Sequence, residues 1–201
     1  MDSYILSWQK IVFPKKKEDI EKYICERFAF HMVKVGATIY SIEQNEENNF
    51  DFTLKLPGGT VYLDLVEIII NDSRGSPYSN EQLKISYSDY IDSVLKIVSK
   101  KSLKYESKSE IPISLLIYCS HWRFIPNDEI IFILQYIIQN NNYIFENIFI
   151  YTPLDDTDGT LTLIHPTDVN KFKNITPEVI EKSRSKFYLN LNPNKFELFM
   201  F

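Results

Sequence analysis

Apolar residues along the chain switch between two spacings, and the switches mark out the elements. Ile20, Ile24, Phe28 and Met32 or Val35 recur at helical intervals. Glu18 and Asp19 stand just before them, where a helix N-terminus favours negative charge, and Gly36 is a natural stop, so a helix is predicted over 20–34. The spacing then shortens. Residues 37–42, 50–56 and 60–70 read as strands, the last two joined by Pro57-Gly58-Gly59 as a hairpin. A second helix is predicted over 81–104, with Ile91, Val94, Leu95 and Val98 on one face. The continuous apolar run 113–118 reads as a fully buried strand, and Pro126-Asn127 caps a third helix over 128–139.

Strands over 147–152 and 160–165 flank the turn Asp155-Asp156-Thr157-Asp158-Gly159, and Thr176-Pro177-Glu178 opens a short C-terminal helix. The opening stretch, 4–13, reads as an edge strand or a docking arm, and the apolar tail 196–201 docks on the core or on another subunit. No repeat or linker interrupts this order. The expectation is one α/β domain over 1–201, a mixed central sheet flanked by helices.

Composition narrows the function classes. At 201 residues, 44% hydrophobic and a mean hydropathy of -0.20, the chain is globular rather than disordered. A net charge of -5 excludes a broad basic surface, which leaves the lysines from Lys96 to Lys108 as the one local basic patch. Cys25 and Cys119 are too few for a disulfide scaffold or a cysteine-rich zinc site. No export signal and no membrane-length apolar run are visible, so the expected location is the reducing cytoplasm.

Candidate chemistry concentrates in the hairpin. Asp51 begins one strand, and Asp64 lies inside an apolar run on its partner. Carboxylates are seldom buried without a counter-charge or a metal, and two on adjacent strands can converge on one divalent cation. Alternation puts Asp64 and Val66 on one face and Glu67 on the other, so Glu67 reaches the Asp64 site only through a bulge. Plain readings stand beside these. Asp51 can end a turn, Asp64 can guard an edge strand, Glu67 can face solvent, and the lysines can form a solvated helix face. The loop His121-Trp122-Arg123-Phe124 reads as aromatic packing, and Asp155 to Gly159 as a turn, since the downstream Glu of a calcium loop is missing.

The helix, the Asp-bearing hairpin and the order helix–strand–strand–strand–helix–strand resemble the PD-(D/E)XK, or restriction-endonuclease-like, superfamily, over a core of about 18–151. Asp51 matches the first acid of its motif and Asp64 the second, whereas Val66 stands where the family has lysine. The resemblance implies a nuclease, that is, a hydrolase of phosphodiesters using Mg²⁺ or Mn²⁺. In it Asp51, Asp64 and Glu21 would hold the metal. Asp51, Asp64 and Glu67 would act at the reaction centre, and a lysine of the second helix, assigned to Lys100 from Lys84, Lys96, Lys100, Lys101 and Lys104, would replace the missing one. The alternative is a non-catalytic descendant that binds DNA, another nucleic acid or a protein partner, for example as a neutralising factor in a bacterial conflict system. That alternative suits the acidic charge and the valine.

Overall fold

Each run of one spacing becomes one element. In chain order these are β1 (Ile5–Leu6), α1 (Lys17–Lys34), β2 (Ser41–Gln44), β3 (Phe52–Leu56) and β4 (Gly59–Glu67). Then follow β5 (Ile85–Ser86), α2 (Tyr87–Tyr105), β6 (Ile113–Tyr118), α3 (Asp128–Gln139) and β7 (Asn147–Pro153). The chain closes with β8 (Gly159–His165), α4 (Pro177–Arg184), β9 (Phe187–Tyr188) and β10 (Leu198–Phe199). This is a computed structural model that describes residues 5–6, 12–46, 50–70, 84–106, 110–154, 158–189 and 198–199. The expected helix start at 81–83 and Lys108, and most of the expectations for 4–13, 155–159 and 196–201, lie outside the described residues.

The expected α/β architecture is present. Six strands form a mixed sheet in the order β2-β3-β4-β6-β7-β8, and the described residues contribute four α-helices. β2, β3 and β4 make an antiparallel meander, β4, β6 and β7 run parallel, and β8 returns antiparallel to β7. The parallel pairs are linked through α2 and α3, as parallel strands require.

Both faces of the sheet are covered, which explains the unbroken apolar run in β6. Ile113, Leu115 and Ile117 pack with Ile91, Val94 and Val98 of α2 and with Ile130, Ile133 and Leu134 of α3. Leu116 and Tyr118 point the other way, with Leu63 and Leu65 of β4, toward Ile24 and Phe28 of α1. A strand buried on both faces has no polar alternation to show.

Several boundaries differ from the reading of the chain. Helix α2 begins at Tyr87, because Ser86 caps it, its Oγ accepting the Asp89 N–H at 3.3 Å. Ile85 and Ser86 instead pair antiparallel with Tyr188 and Phe187 of β9. The first strand of the meander starts at Ser41, and β4 ends at Glu67. Element order by itself assigns no family and no activity.

Candidate functional site

The hairpin turn determines what Asp51 meets. Leu56 pairs with Gly59 and Phe52 with Leu63, so Asp51, just before β3, and Asp64 each lie one residue beyond the last pair of the ladder. Their like charges repel, and the Asp64 charge is felt at Asp51. Gly59 permits the tight connection, its φ of +129° lying where residues with a Cβ are strained.

Asp64 is 1% exposed, yet it is well supplied with donors from α2. The Tyr105 hydroxyl donates to its Oδ1 at 2.8 Å, and the Lys101 ammonium lies 2.7 Å from its Oδ2. That second contact is a close ion pair, at a distance ordinary for an ammonium meeting a carboxylate. Asp51 is half-buried, and its Oδ2 accepts the Leu65 backbone N–H at 2.6 Å. Among the described residues no donor reaches its Oδ1.

Burial and the nearby Asp64 push the Asp51 carboxyl up to about 6, against the pull of the Leu65 N–H and of Lys101. Both leading causes disfavour its charge. Tyr105 is held well above the usual phenol range, by burial first and then by the Asp64 charge, so it remains a donor.

An aromatic column fixes this arrangement. Phe50, which precedes Asp51, stacks on Tyr62 at 4.4 Å and meets Tyr105 at 4.5 Å. The exposed Lys104 adds its ammonium to the Tyr105 hydroxyl at 2.9 Å. Thus the residues just before β3, together with β4 and α2, each contribute both a ring and a charged group to one place.

The remaining expected residues fall elsewhere. Glu21 is buried on α1 and pairs with Lys17 at 3.2 Å. It adds to the field that raises Asp51, and Lys17 in turn is raised by Glu21 first and then by Asp51 and Asp64. Among the described residues no group of three or more His, Cys, Asp or Glu side chains could hold a metal ion, so the expected three-carboxylate set is not assembled. Glu67 pairs in register with Tyr118 and accepts a hydrogen bond from the Ser120 hydroxyl, away from Asp64. Lys100 is exposed on α2, one residue from the lysine that does reach the acids. His121 packs against Trp122 and Phe124, its imidazole lowered by burial and by Arg123.

Tyr105 is the member that the sequence reading left without a role, and Lys101 stood there as one of five candidate lysines with Lys100 chosen instead. The helical stripe points to both. Val94, Val98, Ser102 and Tyr105 form the buried face of α2, and Lys101 follows Val98 by three residues and precedes Tyr105 by four. Lys100 sits about 200° round from Val98 at 3.6 residues per turn, on the solvent side.

Comparison with known proteins supports no family. No family model matches the chain, and no curated protein matches it. A solved structure of a protein of unknown function from Pseudomonas aeruginosa, described as monooxygenase superfamily, is 14% identical, with 87% of this chain and 83% of that chain covered and a TM-score of 0.37. A likeness that slight transfers neither fold nor activity. The expected PD-(D/E)XK membership is therefore corrected: the comparisons bring out no such nuclease. The physical departure is Val66, a partly buried side chain packed on the core where the motif requires an ammonium. The nuclease, hydrolase and DNA-binding readings, and the non-catalytic nuclease-fold alternative, fall with the membership. No helix among the described residues is long and apolar enough to cross a membrane.

Proposed function

We propose that Asp51 and Asp64 form a proton-linked cation site, with Mg²⁺ or Mn²⁺ as the ion it takes. The observation that carries this reading is a charge imbalance: two neighbouring carboxylates, one of them fully buried, are met among the described residues by a single ammonium at contact distance. The residual negative charge is neutralised by a proton on Asp51 or by a cation. A hard divalent ion commonly uses one or two protein carboxylates and fills its other positions with water or ligand oxygens, so the donor set fits without a third acid. When bound, the ion would neutralise the pair and polarise an oxygen of whatever ligand shares it.

The chain's own residues divide the work. Asp64 is held in one orientation by Tyr105, Asp51 exchanges the proton, and the Leu65 N–H keeps Asp51 turned toward β4. A reducing cytoplasm suits the two buried thiols, Cys25 and Cys119, both raised to about 12 chiefly by burial.

The test is calorimetric titration with MgCl₂ and MnCl₂ in buffers of different ionisation enthalpy. The expected result is millimolar or tighter binding that releases protons near pH 5.5 and almost none at pH 8, since Asp51 is then already ionised. Asp64→Asn should abolish it. Absence of binding by the wild type, or equal binding by the folded Asp64→Asn variant, would overturn the reading.

A further inference from the structure

Resting on that cation reading, the geometry points to Lys101 as a built-in competitor: its ammonium occupies the Asp64 oxygen that an incoming divalent ion needs, and it must swing aside for the ion to bind.

Two of the four carboxylate oxygens already accept hydrogen bonds. Asp64 Oδ1 takes the Tyr105 hydroxyl, and Asp51 Oδ2 takes the Leu65 N–H. Tyr105 cannot retreat easily, because its ring is held in the column with Phe50 and Tyr62. The Leu65 N–H belongs to the strand that the sheet fixes on both sides. A shared ion therefore has Asp51 Oδ1 and Asp64 Oδ2 to use. The first receives no donor among the described residues, and the second faces Lys101.

Lys101 is equipped to leave. Its side chain is 23% exposed while Asp64 is buried, so the ammonium has a path to water along a flexible four-carbon stem. Its contact with Oδ2 is an ion pair, so what chiefly holds it there is charge. A divalent ion carries twice that charge and can replace it. The exchange moves no covalent bond: one ammonium leaves the carboxylate, and a metal–oxygen contact takes its place.

A fixed co-ligand role for Lys101 makes the opposite forecast, because an ammonium donates only and cannot ligate a metal. Simple removal of positive field is the other alternative, and Lys17 serves to measure it, since Asp51 and Asp64 both feel Lys17 while its own contact is with Glu21.

The experiment measures Mn²⁺ affinity by loss of the free-ion electron paramagnetic resonance signal for the wild type, Lys101→Gln, Lys17→Gln and Lys182→Gln, the last a surface control on α4. Lys101→Gln is expected to bind about ten-fold tighter, equivalent to about 1.4 kcal/mol. Lys17→Gln should change affinity far less, and Lys182→Gln not at all. In parallel, the side-chain ammonium resonance of Lys101 is followed in ¹⁵N-labelled wild type during titration with diamagnetic Mg²⁺. It should start protected from water exchange and lose that protection as the ion binds. Equal affinity in Lys101→Gln and wild type, or an ammonium signal unchanged at Mg²⁺ saturation, would overturn the competitor role and leave the cation reading standing. No binding by any variant would overturn the cation reading and the competitor role together.

Discussion

Replacing Asp51 by asparagine should stabilise the protein at neutral pH and have little effect in acid. Asparagine keeps the shape and still offers an oxygen to the Leu65 N–H, so the perturbation is essentially the loss of one ionisable charge. The Asp51 carboxyl is pushed up to about 6 from an ordinary 3.8, by burial and by Asp64. A group whose folded value is raised favours the folded state through its protonated form. That contribution is complete below the unfolded value and is lost as pH rises through the folded one.

The wild type should therefore lose stability between about pH 4 and pH 6 on this group's account, whereas the variant should not. Fully expressed at pH 8, the difference has a ceiling of about 3 kcal/mol, and at pH 4.5 it shrinks to about 1 kcal/mol. Partial exposure and the lost attraction to Lys101 reduce it, so about 1–2 kcal/mol is expected at pH 8. Urea denaturation of both proteins at the two pH values measures it. A variant less stable than wild type at pH 8, or a gain that does not vary with pH, would refute the account of Asp51 as a strained charge. A stabilising substitution that removes a binding group is the usual trade between stability and function.

Two further substitutions test the scaffold. In Gly159→Ala the new Cβ would lie 2.6 Å from the Tyr151 hydroxyl and 2.8 Å from the Thr152 backbone oxygen, so β7 and β8 must shift; a loss of about 1–3 kcal/mol is expected in urea melts, and an unchanged midpoint would sink that expectation. Leu116→Ala empties a fully buried position beneath α1 and should lower stability by about 2–5 kcal/mol; a loss under 1 kcal/mol, read by the same melts, would show that the face closes over the gap.

The parts of the fold and site that could be read from the chain are those governed by local rules. That a hairpin brings the two acids near each other follows from the turn at Pro57-Gly58-Gly59, but its register does not: counting from that turn pairs Leu56 with Thr60, whereas the structure makes Gly59 the first residue of β4 and pairs it with Leu56. Choosing among the α2 lysines needed one more step. Four lysines crowd the end of that helix, and only the buried stripe, ending on Tyr105, separates Lys101 from Lys100. Tyr105 itself reads as one more core aromatic, because a hydroxyl's partner on another element leaves no periodic trace. The β5–β9 pairing was not legible for a related reason. Two residues on each side, about a hundred positions apart, make no pattern, and what joins them is tertiary packing around Tyr87, Tyr90 and Tyr188. Glu21 and Glu67 were plausible as acids near the hairpin, and each has been drawn to its own local partner, Lys17 and Ser120.

The contact between α2 and the hairpin carries a consequence for how this protein can diverge. Asp64 without Lys101 would be a buried anion near a second carboxylate, whereas Lys101, 23% exposed, can turn to water when Asp64 is lost. The first loss is the costly one, since an uncompensated buried charge is among the most destabilising single changes. The two positions, 37 residues apart and on different elements, are therefore linked chiefly in one direction. Descendants of this chain should keep the ammonium wherever they keep the acid, with the ring at position 105 keeping its hydroxyl only in those lineages.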